Sequence, residues 1–155
     1  TRPLQTDQNI CEKMIENFGQ TQSGDTVQRV ILNNGNLTAH VLNYGGILQD
    51  LLLAGYAHSL ILGFDNVFAY ETAGGYIGAT VGRFANRIAS GHLSIQGKEF
   101  QLDRNFRGRH TLHGGQAGIG KQLWDIVEFH TDRVIFALVL PDELYFQQTE
   151  FKIIQ

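Results

Sequence analysis

From Val27 onward the chain alternates with a period of two, and that alternation limits the possible folds more than any other feature. V-Q-R-V-I-L runs into Asn33-Asn34-Gly35-Asn36 and then L-T-A-H-V-L. Asn-Gly supplies the positive φ that a tight turn wants, so this stretch predicts a β-hairpin. Successive strand residues face opposite sides, which puts Leu37, Ala39 and Val41 on one face and Thr38 and His40 on the other. His40 is therefore expected to be exposed. After Gly45-Gly46, I-L-Q-D-L-L-L resumes the strand pattern. L-S-I and F-Q-L flank Gln96-Gly97-Lys98-Glu99 as a second hairpin, and L-W-D-I-V-E-F and V-I-F-A-L-V-L flank a turn at 130–133 as a third. Between them, 60–64 reads as a short buried strand, and 65–75 and 103–111 read as loops. Eighteen glycines against two prolines suit many turns between short strands. The expected fold is all-β, an antiparallel β-sandwich.

A chain of 155 residues is one domain or part of one, and 43% hydrophobic with 17% charged residues describes a globular chain. A net charge of −3 without a Lys/Arg cluster gives no footprint for nucleic acid. No apolar run reaches the ~20 residues that cross a bilayer, so no membrane partner is expected. Thr1-Arg2-Pro3 shows no leader pattern, and a single cysteine, Cys11, excludes an internal disulfide. Both fit a cytoplasmic location. Residues 7–17 are expected to form a short helix, with Asp7 or Asn9 as cap, Ile10 and Met14 on one side and Gly19 as the stop. Cys11 reads as a small apolar filler. Residues 1–18 thus form an N-terminal extension and 19–155 the sandwich.

The polar groups that carry chemistry concentrate in 78–124. G-A-T-V-G-R-F-A-N-R-I supplies Asn86 and Arg87, and T-L-H-G-G supplies His113. Gly82, Ala85, Gly114 and Gly115 would let the backbone approach a ligand closely. An amide, a five-donor fork and a titratable ring suit a polyhydroxylated ligand, whose hydroxyls need donors and acceptors. Each residue taken singly has a plainer reading: Asn86 closes a turn, Arg87 sits on a solvated face, and His113 is a satisfied loop histidine. Tyr70 and Tyr76 either wall such a site or simply pack. There is no Cys/His zinc spacing, no phosphate loop and no G-x-S-x-G, so no metal site is expected. Asp142 and Glu143 are adjacent, and in a strand they would face opposite ways, which speaks against a two-carboxylate glycosidase site.

Taken together, G-A-T-V-G-R-F-A-N-R-I, S-G-H-L-S-I-Q-G-K-E-F-Q-L, T-L-H-G-G and G-I-G-K-Q-L-W resemble the aldose 1-epimerase (galactose mutarotase) family. L-N-Y-G-G-I-L and L-I-L-G-F-D also match it, in the family's order, and the likeness spans roughly 19–143. It implies a galactose-mutarotase-like supersandwich, of which this chain is the N-terminal portion. It implies an enzyme that interconverts the α and β anomers of a free hexose (galactose or glucose) by acid/base ring opening. No cofactor is implied, because nothing is oxidised or transferred. Asn86 and Arg87 would bind sugar hydroxyls, and His113 would bind substrate beside the ring oxygen, in a supporting catalytic role.

Two departures matter. The family's catalytic His motif and late catalytic Glu are not found here, so this chain alone is expected to bind sugar weakly and turn over little. A noncatalytic carbohydrate-binding module, or an inactive fragment of the same fold, is the alternative. Where the family usually has Asn three residues before the L-H-G-G histidine, this sequence has His110, expected to replace an amide. L-Y-F-Q at 144–147 resembles a viral protease recognition core, and a join there and a native strand are both open. Half a sandwich leaves open edges, so a second copy or a complementary fragment is a candidate partner, and 134–140 is the edge at risk.

Overall fold

The computed structural model describes residues 14–73 and 75–140 in full and 146–152 as backbone. The three hairpins stand where the alternation puts them. Strands β1 (Ile15–Gln20), β2 (Thr26–Asn33), β3 (Leu37–Leu42) and β4 (Ile47–Leu53) form one antiparallel sheet in that order. Strands β9 (Asp125–Phe129), β10 (Arg133–Val139) and β11 (Phe146–Lys152) form a second antiparallel sheet with β10 in the middle. Two ribbons complete the strands: β5 (Arg87–Ile88) with β8 (Thr111–Leu112), and β6 (His92–Ile95) with β7 (Lys98–Gln101).

The core lies between the two sheets. Val30 and Leu32 of β2, Ala39 and Val41 of β3, and Val134, Phe136 and Leu138 of β10 meet there with Trp124 and Ile119. Each strand contributes every second residue, which is the physical meaning of the sequence alternation. Trp124 is buried, and its indole Nε1 donates to the carbonyl of Ile119 at 3.0 Å. Asn43, also buried, accepts from the amide of Gln28 at 2.8 Å and donates to the carbonyl of Trp124 at 3.2 Å. That amide side chain ties the first sheet to the segment that leads into β9. Gly45, with φ +64°, lies against the carbonyl of Gly120, where a Cβ would collide. The site loops hang from this seam.

Several expectations are corrected. Residues 15–17 are strand, not helix: Ile15 pairs with Val30 and packs on the core, a tertiary contact that outweighs the local apolar spacing. Met14, before them, is helical as expected, whereas 7–13 with Cys11 and the pair Asp142 and Glu143 lie outside the described residues. Residues 60–64 form no strand and are not buried; Leu62 is 81% exposed. The expected loop at 65–75 contains a helix, α1 (Val67–Thr72), capped by Asn66, whose Oδ1 accepts from the amide of Ala69 at 2.9 Å. α1 covers the other face of the first sheet, with Val67 against Val27, Leu42, Tyr44 and Ile47.

His40 is not exposed: its side chain is only 16% accessible, 3.6 Å from Asp50, because its face also carries Arg29, Glu16 and Gln49. Residues 134–139 are no edge, since β9 and β11 pair on either side.

Candidate functional site

The β5–β8 ribbon is only two residue pairs long, yet it sets the register of the site. Arg87 pairs with Leu112 and Ile88 with Thr111, which brings Asn86 beside His113. The two are then locked reciprocally. The amide of Asn86 donates to His113 Nδ1 at 3.0 Å, and the amide of His113 donates to the carbonyl of Asn86 at 3.0 Å. Both residues hold left-handed backbone, φ 67° and 51°. Positive φ is uncommon for residues other than glycine, and Asn and His are among the side chains that enter this region most readily. Gly114, next in the chain with φ +85°, lies against the carbonyl of Gly82, and any side chain there would collide.

The hydrogen bond fixes the proton on His113. A backbone amide can only donate, so Nδ1 must be unprotonated and the neutral ring carries its hydrogen on Nε2. Burial first, then the positive charge of Arg87, hold the His113 pKa below its ordinary 6.5. His113 is therefore a neutral donor near neutral pH. Arg87 Nη1 donates to Asn86 Oδ1 at 2.8 Å, and its Cζ stands 4.3 Å from the centre of the Phe106 ring.

Beside this cluster lies a cavity of about 600 Å³, walled by Tyr76 and Phe106 with Asn105, Gln116 and Lys121 around it. The Tyr76 ring meets His113 edge-on at 4.6 Å, and Lys121 Nζ lies 5.3 Å from the same ring. Asn86, Arg87 and His113 are thus brought together, with His113 on one aromatic wall and Arg87 on the other. Of the two tyrosines, Tyr76 lines the cavity. Tyr70 packs, its ring against Phe64 and Phe18 and its hydroxyl accepting from the amide of Phe64 at 3.0 Å. A second cavity of 340 Å³ is lined in part by Gly82, Phe84, Leu102 and Leu140. None of Asn86, Arg87 and His113 lines either cavity; His113 and Arg87 stand behind the first through their contacts with its Tyr76 and Phe106 walls.

His110 stands apart from the cluster: its Nδ1 accepts from the amide of Ser90 at 3.1 Å, a bond that an Asn carbonyl could also accept. Asp103 Oδ2 accepts from the amide of Gln116 at 2.7 Å and holds the loop. Sequence reasoning missed Asn105, whose side chain donates to the carbonyl of Leu112 at 2.9 Å and accepts from its amide at 2.7 Å. It missed Phe106 and Lys121 as well. Asn105 and Phe106 sit in D-R-N-F-R-G-R-H, where surrounding charges make the stretch read as a solvated loop; the one signal was an aromatic among them. Among the described residues no group of three or more His, Cys, Asp and Glu could hold a metal ion, and no helix is long and apolar enough to cross a membrane.

A family sequence model described as aldose 1-epimerase matches residues 28–154. The chain is 38% identical over 129 residues to galactose mutarotase of Mus musculus, covering 81% of this chain and 37% of that protein. It is 31% identical over 113 residues to aldose 1-epimerase of Escherichia coli, covering 71% and 32%. The crystal structure of galactose 1-epimerase from Lactobacillus acidophilus superposes with a TM-score of 0.69 at 27% identity, over 83% of this chain and 38% of that one. The chain spans about a third of the length of these relatives.

Proposed function

The chain belongs to the aldose 1-epimerase family, and from that premise we propose that its site binds the pyranose ring of a free hexose, galactose or glucose, for anomer interconversion. The observation that carries this reading is the hydrogen-bonded trio of Asn86, Arg87 and His113, whose His113 and Arg87 pack on Tyr76 and Phe106, the two aromatic walls of a 600 Å³ cavity. That volume falls within the roughly 300–1,000 Å³ of small-ligand sites, which combine apolar walls with a few convergent polar groups. Arg87 and Asn86 serve sugar hydroxyls. His113 donates from Nε2 toward an oxygen of the ring.

Ring opening needs a base at the anomeric hydroxyl and an acid at the ring oxygen, and the same pair then acts in reverse. Three features of the described residues favour binding over turnover in these 155 residues. His113 Nδ1 is occupied by the amide of Asn86, so that nitrogen cannot serve as the base. The lowered pKa leaves little imidazolium to act as the acid. Asp103 is engaged with Gln116. The chain is thus read as the sugar-holding part of the reaction, in the cytoplasm, with the acid and base carried by residues other than these.

Polarimetry of fresh α-galactose and α-glucose tests this directly. The expected rate is close to that of buffer, because lack of a positioned acid or base each forfeits ~10²–10⁴-fold. Galactose titration should meanwhile show saturable binding that Arg87→Ala removes. Turnover within tenfold of a complete family enzyme would refute the division of labour, and binding indifferent to Arg87 would refute the site.

A further inference from the structure

Arg87 is exposed and long, and such a side chain samples many rotamers unless something holds its plane. Two contacts do so. One is the hydrogen bond to Asn86; the other is the ring of Phe106, 4.3 Å from the guanidinium carbon, within cation–π range. Phe106 in turn is not a loose loop residue. Its amide donates to the carbonyl of His110 at 2.9 Å and its carbonyl accepts from the amide of His110 at 3.0 Å, closing the turn through Arg107 and Gly108, both of positive φ. His110 is pinned by the amide of Ser90, and the neighbouring Asn105 brackets both backbone groups of Leu112.

Leu112 is also the register partner of Arg87 across the β5–β8 ribbon. One residue therefore indexes both halves of the stack: Arg87 through the ladder, Phe106 through the Asn105 side chain. A segment that reads as a solvated loop is built as a clamp that presents one aromatic ring to one guanidinium.

We propose that Phe106 is a positioning residue for sugar recognition, fixing the plane of the Arg87 fork beside the cavity that Phe106 lines, so that its remaining donors meet hydroxyls together. This deepens the sugar-site reading and rests on it. A guanidinium held in one orientation loses less entropy when the ligand arrives, so the gain belongs to affinity. His110 and Asn105 act one step further back, through the turn that carries the ring. Arg107, whose Cζ lies 5.1 Å from the same ring, is not needed for the stack and provides a control.

The test uses the 155-residue chain and two readouts. The first is the Arg87 Nε–Hε resonance without sugar, which a neighbouring aromatic ring displaces from its ordinary position. The second is the Kd for galactose. Phe106→Leu should return the Arg87 resonance to its ordinary position and raise Kd about 3–10-fold, the loss of one cation–π contact. Phe106→Tyr should keep both, and Arg107→Ala should keep the resonance displaced. Arg87→Ala should cost less in the Phe106→Leu background than alone.

An Arg87 resonance unmoved by Phe106→Leu overturns the proposal. So does an unchanged Kd in that variant where Arg87→Ala weakens binding. Should Phe106→Leu lose its dispersed amide spectrum, Phe106→Met replaces it and is read the same way. Absence of galactose binding in the unaltered chain would count against the sugar site, while the resonance would still decide whether Phe106 positions Arg87.

Discussion

At the scale of single residues, the site rests on backbone conformations that few side chains accept. Gly114→Ala should be severe, because a methyl there meets the carbonyl of Gly82 and the φ of +85° is itself unfavourable. A loss of about 2 kcal/mol or more in urea unfolding is expected. The pH behaviour follows from two histidines. His113 has its pKa lowered by burial and then by Arg87; His40 has its pKa lowered by burial and then by Arg29. The unfolded chain therefore binds protons near 6.5 before the folded chain does, and stability falls with pH from about 6.5 down through the folded pKa values. Above that window both rings are neutral in either state and stability is flat in this respect. Urea midpoints at pH 7.5 and 5.5 check this, with the lower midpoint expected at pH 5.5. Galactose affinity should fall over the same window, since a proton on Nδ1 breaks the bond from Asn86. His113→Asn, which cannot titrate, should flatten that dependence.

At the scale of elements, the hairpins were readable because each buries one face, and burial writes itself into the sequence every second residue. β2, β3 and β10 show this through Val30 and Leu32, Ala39 and Val41, and Val134 and Phe136. What could not be read were elements whose identity is decided by distant partners. The helix expected over 7–17 runs through Ile15, but the pairing of β1 with β2 claims that residue. L-I-L at 60–62 looks like a buried strand because short apolar runs carry no period, and it lies exposed instead. α1 is a six-residue element announced only by its Asn66 cap. The Asn86–Arg87–His113 trio was legible as residue types, whereas the clamp at 105–110 was not, since its order comes from side-chain bonds to Leu112 and Ser90. The seam between sheets offers a prediction at this scale. Asn43→Ala leaves the part-buried amide of Gln28 and the buried carbonyl of Trp124 without this side-chain partner. A cost of about 1–3 kcal/mol for each unsatisfied group is expected. Asn43→Asp, which keeps the acceptor, should recover part of that loss in the same urea titration.

At the scale of the whole molecule, a two-sheet core coexists with apolar side chains left on the surface. Leu62 is 81% exposed, Val139 71% and Phe68 62%. Large exposed apolar groups favour association, so light scattering should grow with protein concentration. Leu62→Ser with Val139→Thr should reduce it while changing stability by less than about 1 kcal/mol, because neither side chain lies in the core. The central claim concerns the site on this framework, and amide-resolved NMR titration of the 155-residue chain with galactose tests it most directly. The expected result is saturable binding in the millimolar range, roughly −4 kcal/mol, with shifts confined to Tyr76, Asn86, Arg87, Phe106, Leu112 and His113 and abolished by Arg87→Ala. Saturation that centres on residues outside this set, or that persists at equal affinity in Arg87→Ala, would contradict it.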